Sequence, residues 1–269
     1  MVTDTGAASL AAEFPPGIDD FDFRDWFPGL SDTAWANVFT TITAAVWATV
    51  LILVIFFFWA YRSPKIVPTK SQWMAESAYG FIRNSISIDL LGKKDGVRFA
   101  PYFATLFFFI LLMNFWAVVP GVQISPNAHI AFPLVLGFLS WLIYNFVGIK
   151  KHGLIGYLKM NCVPPGVPGF ILPIIIPLEF VQNLLLRPIT LALRLFANMF
   201  AGHLILLVFI TGGLAMLNSA NMLVQGLSVF SFLMAIAMSL FELIVIGLQA
   251  YVFTLLTALY VQGALADEH

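Results

Sequence analysis

Along this chain, apolar side chains gather in tracts that are hydrophobic on every face, as from Val46 to Ala60 and from Tyr102 to Val119, with no alternation of period two. Such tracts approach the ~20 residues a helix needs to cross a bilayer, whereas the strands of a membrane barrel read as ~10-residue alternating segments. The first predicted span covers residues 35–61 and is followed at once by Arg62, Lys65 and Lys70. Residues 71–91 are mixed: Trp73, Met74, Tyr79, Phe81 and Ile82 are set among Glu76, Arg83 and Asp89, the pattern of an amphipathic helix lying along the interface. Lys93, Lys94 and Arg98 precede a second span, 99–119, closed by Pro120-Gly121. A loop without formal charge then leads past Asn127 and His129 to a third span, 130–148.

Beyond a turn rich in proline and glycine at 161–169 the pattern changes. Residues 170–217 stay apolar, roughly 70 Å if helical throughout, which is too long for one upright span. A strongly tilted helix, bent near Pro173, Pro177 and Pro188, accounts for that length. Asn218 to Asn221 makes a polar tip, and residues 222–265 return as a second long helix. The predicted fold is thus an all-α polytopic membrane protein with five transmembrane helices, one interfacial amphipathic helix, and a last pair forming a long tilted antiparallel hairpin. It is a single membrane domain over 35–269, behind a tail of residues 1–34.

Composition agrees, with 60% apolar and 10% charged residues. The tail holds seven acids, from Asp4 to Asp32, against Arg24 alone, so it lacks the basic region of a signal peptide and reads as a retained acidic segment. Segments 62–98 and 150–159 hold ten of the 13 Lys and Arg, which places them in the cytoplasm, the N-terminus and tail outside, and the C-terminus inside. A lone Cys162 excludes an internal disulfide and points to no zinc site. No Walker loop, G-x-G-x-x-G or HExxH is present, so no metal, cofactor or nucleic-acid partner is expected.

The informative residues are the polar ones inside the last two helices. Glu179, Gln182, Asn183, Arg187, Thr190, Arg194, Asn198 and His203 lie on the outgoing helix; Glu242, Gln249, Thr254 and Thr257 lie on the returning one. Arg194 costs about 2.5–3.5 kcal/mol at membrane depth by insertion scales and cannot shed its proton. In an antiparallel hairpin, facing residues have numbers of nearly constant sum. His203 with Glu242, and Arg194 with Gln249, both put the centre close to residue 222, at the tip read independently from Asn218 to Asn221. Helical phase sets Arg187, Arg194 and Asn198 within about 40° of one face, and His203 about 180° from Arg194. Arg194 therefore faces an amide rather than an acid, and its counter-charge is expected on another protein. Two readings stand for His203 with Glu242: a hydrogen-bonded structural pair, or the titrating pair a proton relay needs. His129, beside Asn127, reads either as a solvated loop histidine or as an outer proton entry.

The run Arg187-Pro-Ile-Thr-Leu-Ala-Leu-Arg194-Leu-Phe-Ala-Asn198-Met-Phe-Ala-Gly202-His203 closely resembles the signature of subunit a of F-type ATP synthases. The resemblance continues in Glu242-Leu-Ile-Val-Ile-Gly-Leu-Gln249-Ala-Tyr-Val-Phe, in the ending Ala-Asp-Glu-His, and more loosely in Asn114-Phe-Trp and Pro120-Gly121. It covers most of the chain after about residue 70. The resemblance implies a proton-translocating stator subunit without an ATP site, in the cell membrane beside b-type peripheral stalk subunits. Arg194 would face the carboxylates of a ring of c subunits, flanked by Asn198 and Gln249. His203 and Glu242 would line an outer half-channel, and Glu179 would belong to a cytoplasmic one. The family often carries an acid at the position of His203 and a histidine at that of Glu242; here the two are exchanged, which supports their pairing in space. Two other classes compete with this reading. A proton-coupled transporter would bring repeat symmetry, which is not found between residues 35–148 and 170–265. A purely structural scaffold would tolerate apolar replacement of Glu179, Arg194, His203 and Glu242 together.

Overall fold

The computed structural model describes residues 41–62, 65–119, 125–162, 171–219 and 221–266; the acidic tail, residues 35–40 of the first predicted span, Pro120-Gly121 and most of the 161–169 turn fall outside them. The described residues form helices and no strands: α1 (Thr41–Tyr61), α2 (Lys70–Ile82), a π-helical stretch (Arg83–Ile88), α3 (Asp89–Phe115), a 3-10 turn (Pro126–Ala128) and α4 (Ala131–Cys162), then α5 (Leu172–Phe180), a second π-helical stretch (Val181–Leu186), α6 (Arg187–Leu217) and α7 (Met222–Leu265). Joined across their bends, these give five helices long and apolar enough to cross a membrane. The surface is inside-out relative to a water-soluble protein: Phe58, Phe146 and Ile244 are 72%, 67% and 68% exposed.

Thr69 caps α2 by accepting from Gln72 N. The chain reverses at Gly92, whose φ of 76° suits a residue without Cβ. The π-helical stretch then folds back over the start of α3, where Ser87 Oγ donates to the Gly96 carbonyl. Only glycine fits at that crossing, because a Cβ on Gly96 would come within 2.7 Å of the Ile88 Cα. α1 lies antiparallel to α3, fixed by Trp116 Nε1 donating to Thr49 Oγ1 at 2.8 Å and by the Phe57 and Phe108 rings 5.9 Å apart.

The core joins α3, α4, α6 and α7, with Phe103, Ile110, Leu191, Leu195, Phe253 and Val261 at its centre. α4 continues past residue 148 to Cys162, turning at Gly153 (φ 73°), so the basic segment after the third predicted span is helical. The outgoing arm of the hairpin changes its winding between its prolines. Pro188 has no N–H for the carbonyl of Leu184, and just before it the helix widens, with Arg187 N–H reaching back five residues to the Gln182 carbonyl. From Leu172 to Leu217 is 46 residues and α7 is 44, each more than twice the ~20 that span hydrocarbon, so each arm either tilts or extends beyond it. At the tip, Asn218 ends α6 and Asn221 caps α7 by accepting from Leu223 N.

α4 and α6 touch backbone to backbone. A Cβ on Gly137 would lie 2.8 Å from the Pro188 carbonyl and 3.3 Å from the Ala192 Cβ, and neither helix has a flexible side chain there to give way. Gly137→Val is expected to cost about 1–3 kcal/mol by overpacking, read as a lower melting temperature of the purified chain, whereas Gly226→Ala, with open space around it, leaves melting unchanged.

Candidate functional site

Helix α6 owes its two faces to its sequence. Leu191, Leu195 and Met199 recur at helical spacing and are buried, while Thr190, Arg194, Ala197, Asn198 and Ala201 form an exposed stripe on the opposite side. Arg194 stands in that stripe with no hydrogen bond or ion pair to another described residue. Arg187, two turns earlier, is half-buried with its guanidinium 5.2 Å from the centre of the Tyr260 ring.

Three contacts fix the register of α6 against α7. Ser231 Oγ donates to the Phe209 carbonyl at 2.6 Å, a Cβ on Gly202 would sit 3.5 Å from Glu242 Oε1, and Asn198 Nδ2 donates to Gln249 Oε1 at 2.7 Å. The amide of Gln249 thus goes to Asn198, while Arg194, one turn away, points outward. Glu242 and Gln249 are 5% and 3% exposed. They lie seven residues apart on one face of α7, and Glu242 Oε1 and Gln249 Nε2 are buried with no hydrogen-bond partner among the described residues. His203 is half-buried, next in sequence to the glycine that closes on Glu242.

Residues 125–128, just before α4, do not form a solvated loop. Ser125, Pro126, Asn127 and Ala128 are all buried, with His129 half-buried. Asn127 Nδ2 donates to Asn114 Oδ1 at 2.7 Å, and Ser125 Oγ to the Met113 carbonyl at 3.0 Å. Ala128 packs on Met199 and Ile246. The turn therefore rests on the hairpin between the levels of Glu242 and Gln249. Sequence reasoning missed this placement, because the uncharged run from 125 to 128 is compatible with either surface.

Glu179 occupies a separate polar cluster at the other end of the outgoing arm. Asn183 Nδ2 donates to Glu179 Oε2 at 3.0 Å and to the Asn161 carbonyl at 2.7 Å, Tyr144 OH donates to the Asn183 carbonyl, and Tyr157 OH donates to Asn145 Oδ1 at 3.0 Å. Asn145, Tyr157 and Asn161 line a small cavity with Asn183. They were not singled out from the sequence, since each is a lone polar residue in α4. No group of three His, Cys, Asp or Glu side chains able to hold a metal occurs among the described residues.

These features define a polytopic helical membrane protein whose costly polar residues are gathered on one long antiparallel hairpin. The model of a known family, ATP synthase A chain, matches residues 43–262, and the chain belongs to that family. Proteins named ATP synthase subunit a are similar to it: one from Nocardioides sp. (strain ATCC BAA-499 / JS614) is 47% identical over 80% of this chain and 78% of its own. Another, from Arthrobacter sp. (strain FB24), is 46% identical over 77% and 78%. A third, from Rhodococcus erythropolis (strain PR4 / NBRC 100887), is 44% identical over 80% and 78%.

The Asn198–Gln249 bond yields a stability prediction. Asn198→Ala leaves the buried Gln249 amide without a described partner at either end and is expected to cost about 1–3 kcal/mol, whereas replacing both residues by Leu costs much less. A double-mutant cycle on thermal unfolding of the purified chain reads the coupling; additive effects would show that the bond contributes nothing.

Proposed function

We propose that this chain is the proton-translocating stator subunit of a rotary F-type ATP synthase. In this reading it lies in the cell membrane, N-terminus outside and C-terminus in the cytoplasm, and couples proton flow to rotation of a ring of c subunits. The observation that carries the reading is Arg194, a permanent charge on an exposed, otherwise uncharged stripe of α6, unpaired with any described residue. Such a charge calls for a counter-charge from outside the chain, and a ring with one membrane carboxylate per subunit supplies one after another.

The mechanism follows from a charge that cannot be neutralised. Opposite Arg194 a ring carboxylate is held ionised, so on arrival it releases its proton toward the cytoplasmic half-channel, to which Glu179 and its amide cluster belong. Away from Arg194 the carboxylate meets lipid only when protonated, because a bare carboxylate there is expensive. Arg194 also bars protons from passing directly between the half-channels. Glu242 and His203 line the outer half-channel, entered past Asn127 and His129. The unpartnered buried atoms Glu242 Oε1 and Gln249 Nε2 support a wet path there, since buried polar atoms are normally satisfied by protein or water. Asn198 and Gln249, bonded to each other, brace the helix face beside Arg194. Each charge crossing ~100 mV delivers about 2.3 kcal/mol to rotation. The b-type stalk subunits hold the chain against the resulting torque, and nucleotide chemistry takes place on other subunits.

Arg194→Ala is expected to reduce proton-driven ATP synthesis in membrane vesicles to background while the complex still assembles; normal synthesis by the assembled variant would overturn the proposal. The exchanged positions provide a second test. Glu242→His and His203→Glu are each expected to lower synthesis severely, and the double exchange to recover a substantial part of it; a double variant no better than either single one would separate the two residues functionally.

A further inference from the structure

We propose that a cavity between the start of α3, the cytoplasmic half of α4 and the end of α7 binds an anionic phospholipid through its headgroup phosphate. The cavity has a volume of about 410 Å³, larger than a free phosphate needs and within the range of ligand pockets. Its wall is divided. Arg98, Lys150 and Lys151 stand at one side, Phe99, Ile143, Phe146 and Val147 line the other, and no carboxylate is among the lining residues.

The sequence puts that division at the membrane edge. Arg98 immediately precedes the apolar tract of α3, and Lys150 closely follows that of α4, so the two bases sit where hydrocarbon gives way to headgroups on the same side of the membrane. Lys151 donates to the Leu265 carbonyl at the end of α7, which ties the third helix to the rim. Arg98 and Lys150 are exposed, and the Arg98 guanidinium lies 5.8 Å from the centre of the Phe99 ring, held close to the apolar wall. A phosphodiester placed at this rim takes a bidentate contact from Arg98 and a point charge from Lys150. The acyl chains continue along Phe146, 67% exposed, and Val147. A free anion would use the bases alone; a lipid uses both walls, and that match selects the lipid.

Native mass spectrometry of the full-length chain in detergent, supplied with dioleoylphosphatidylglycerol or dioleoylphosphatidylcholine, tests this. The unaltered chain is expected to retain the anionic lipid on the order of tenfold more than the zwitterionic one, about 1.4 kcal/mol. Arg98→Gln with Lys150→Gln should abolish the preference. Val147→Trp, which fills the cavity without changing charge, should abolish it too. Lys93→Gln with Lys94→Gln, which removes two bases outside the cavity, should preserve it, and millimolar inorganic phosphate should not displace the lipid. A preference that survives the Arg98/Lys150 change, falls equally with the Lys93/Lys94 change, or yields to inorganic phosphate overturns the proposal. So does a preference that appears only after residues 267–269 are deleted, which would assign the cavity to the acidic end of the chain.

Discussion

Where α6 and α7 lie side by side, a slip of one residue along either helix shifts each side chain about 1.5 Å and turns it about 100°. That is enough to part Asn198 from Gln249, draw the Ser231 hydroxyl away from the Phe209 carbonyl, and turn Glu242 off the space left by Gly202. The two hydrogen bonds join polar groups in an apolar setting, so losing a partner there is costly. The register is therefore held by hydrogen bonds at two levels and by the close fit of Gly202 against Glu242 at a third, and apolar packing alone would leave it freer to slide. The placement of every other group follows: the face of α6 opposite its buried stripe carries Arg194, and the 125–128 turn finds its seat against Met199 and Ile246.

Much of this architecture was legible because the membrane simplifies the code. Apolar length announces the helices, and the absence of period-two alternation separates them from barrel strands. The hairpin register could be read by arithmetic: the observed contacts have midpoints between residues 220 and 224, around the tip that Asn218 and Asn221 mark. What the arithmetic could not resolve is a difference of one turn. The register sum pairs Arg194 with Gln249, but Asn198 shares the face of Arg194 within about 40°, and its shorter side chain, able to bond an amide without leaving its own helix surface, takes the contact instead. The 125–128 turn was illegible for another reason. Local composition distinguishes a turn from a helix, but an uncharged turn carries no sign of whether it faces water or folds back onto its own bundle.

The outgoing arm keeps its continuity past its prolines by a local change of winding. Pro177 and Pro188 each remove a backbone donor, and the wide stretch between them absorbs the misfit within the helix, with no break in the chain. Asn183 lies in that stretch and reaches both Glu179 and the Asn161 carbonyl of α4. Spaced four residues apart, Glu179 and Asn183 meet on one face of the arm, and the second amide hydrogen of Asn183 bridges to α4.

The exposed stripe of α6 has a mechanical consequence. Thr190, Ala197 and Ala201 are short, so the surface around Arg194 has shallow relief. Two helices with long interdigitating side chains mesh like gear teeth, and advancing one past the other means lifting every tooth out of its gap. A smooth surface works as a plain bearing: the friction against a helix moving across it is low and nearly the same at every position. Under the proposed function, the charged side chain of Arg194 on such a bearing would set where motion pauses and where it resumes.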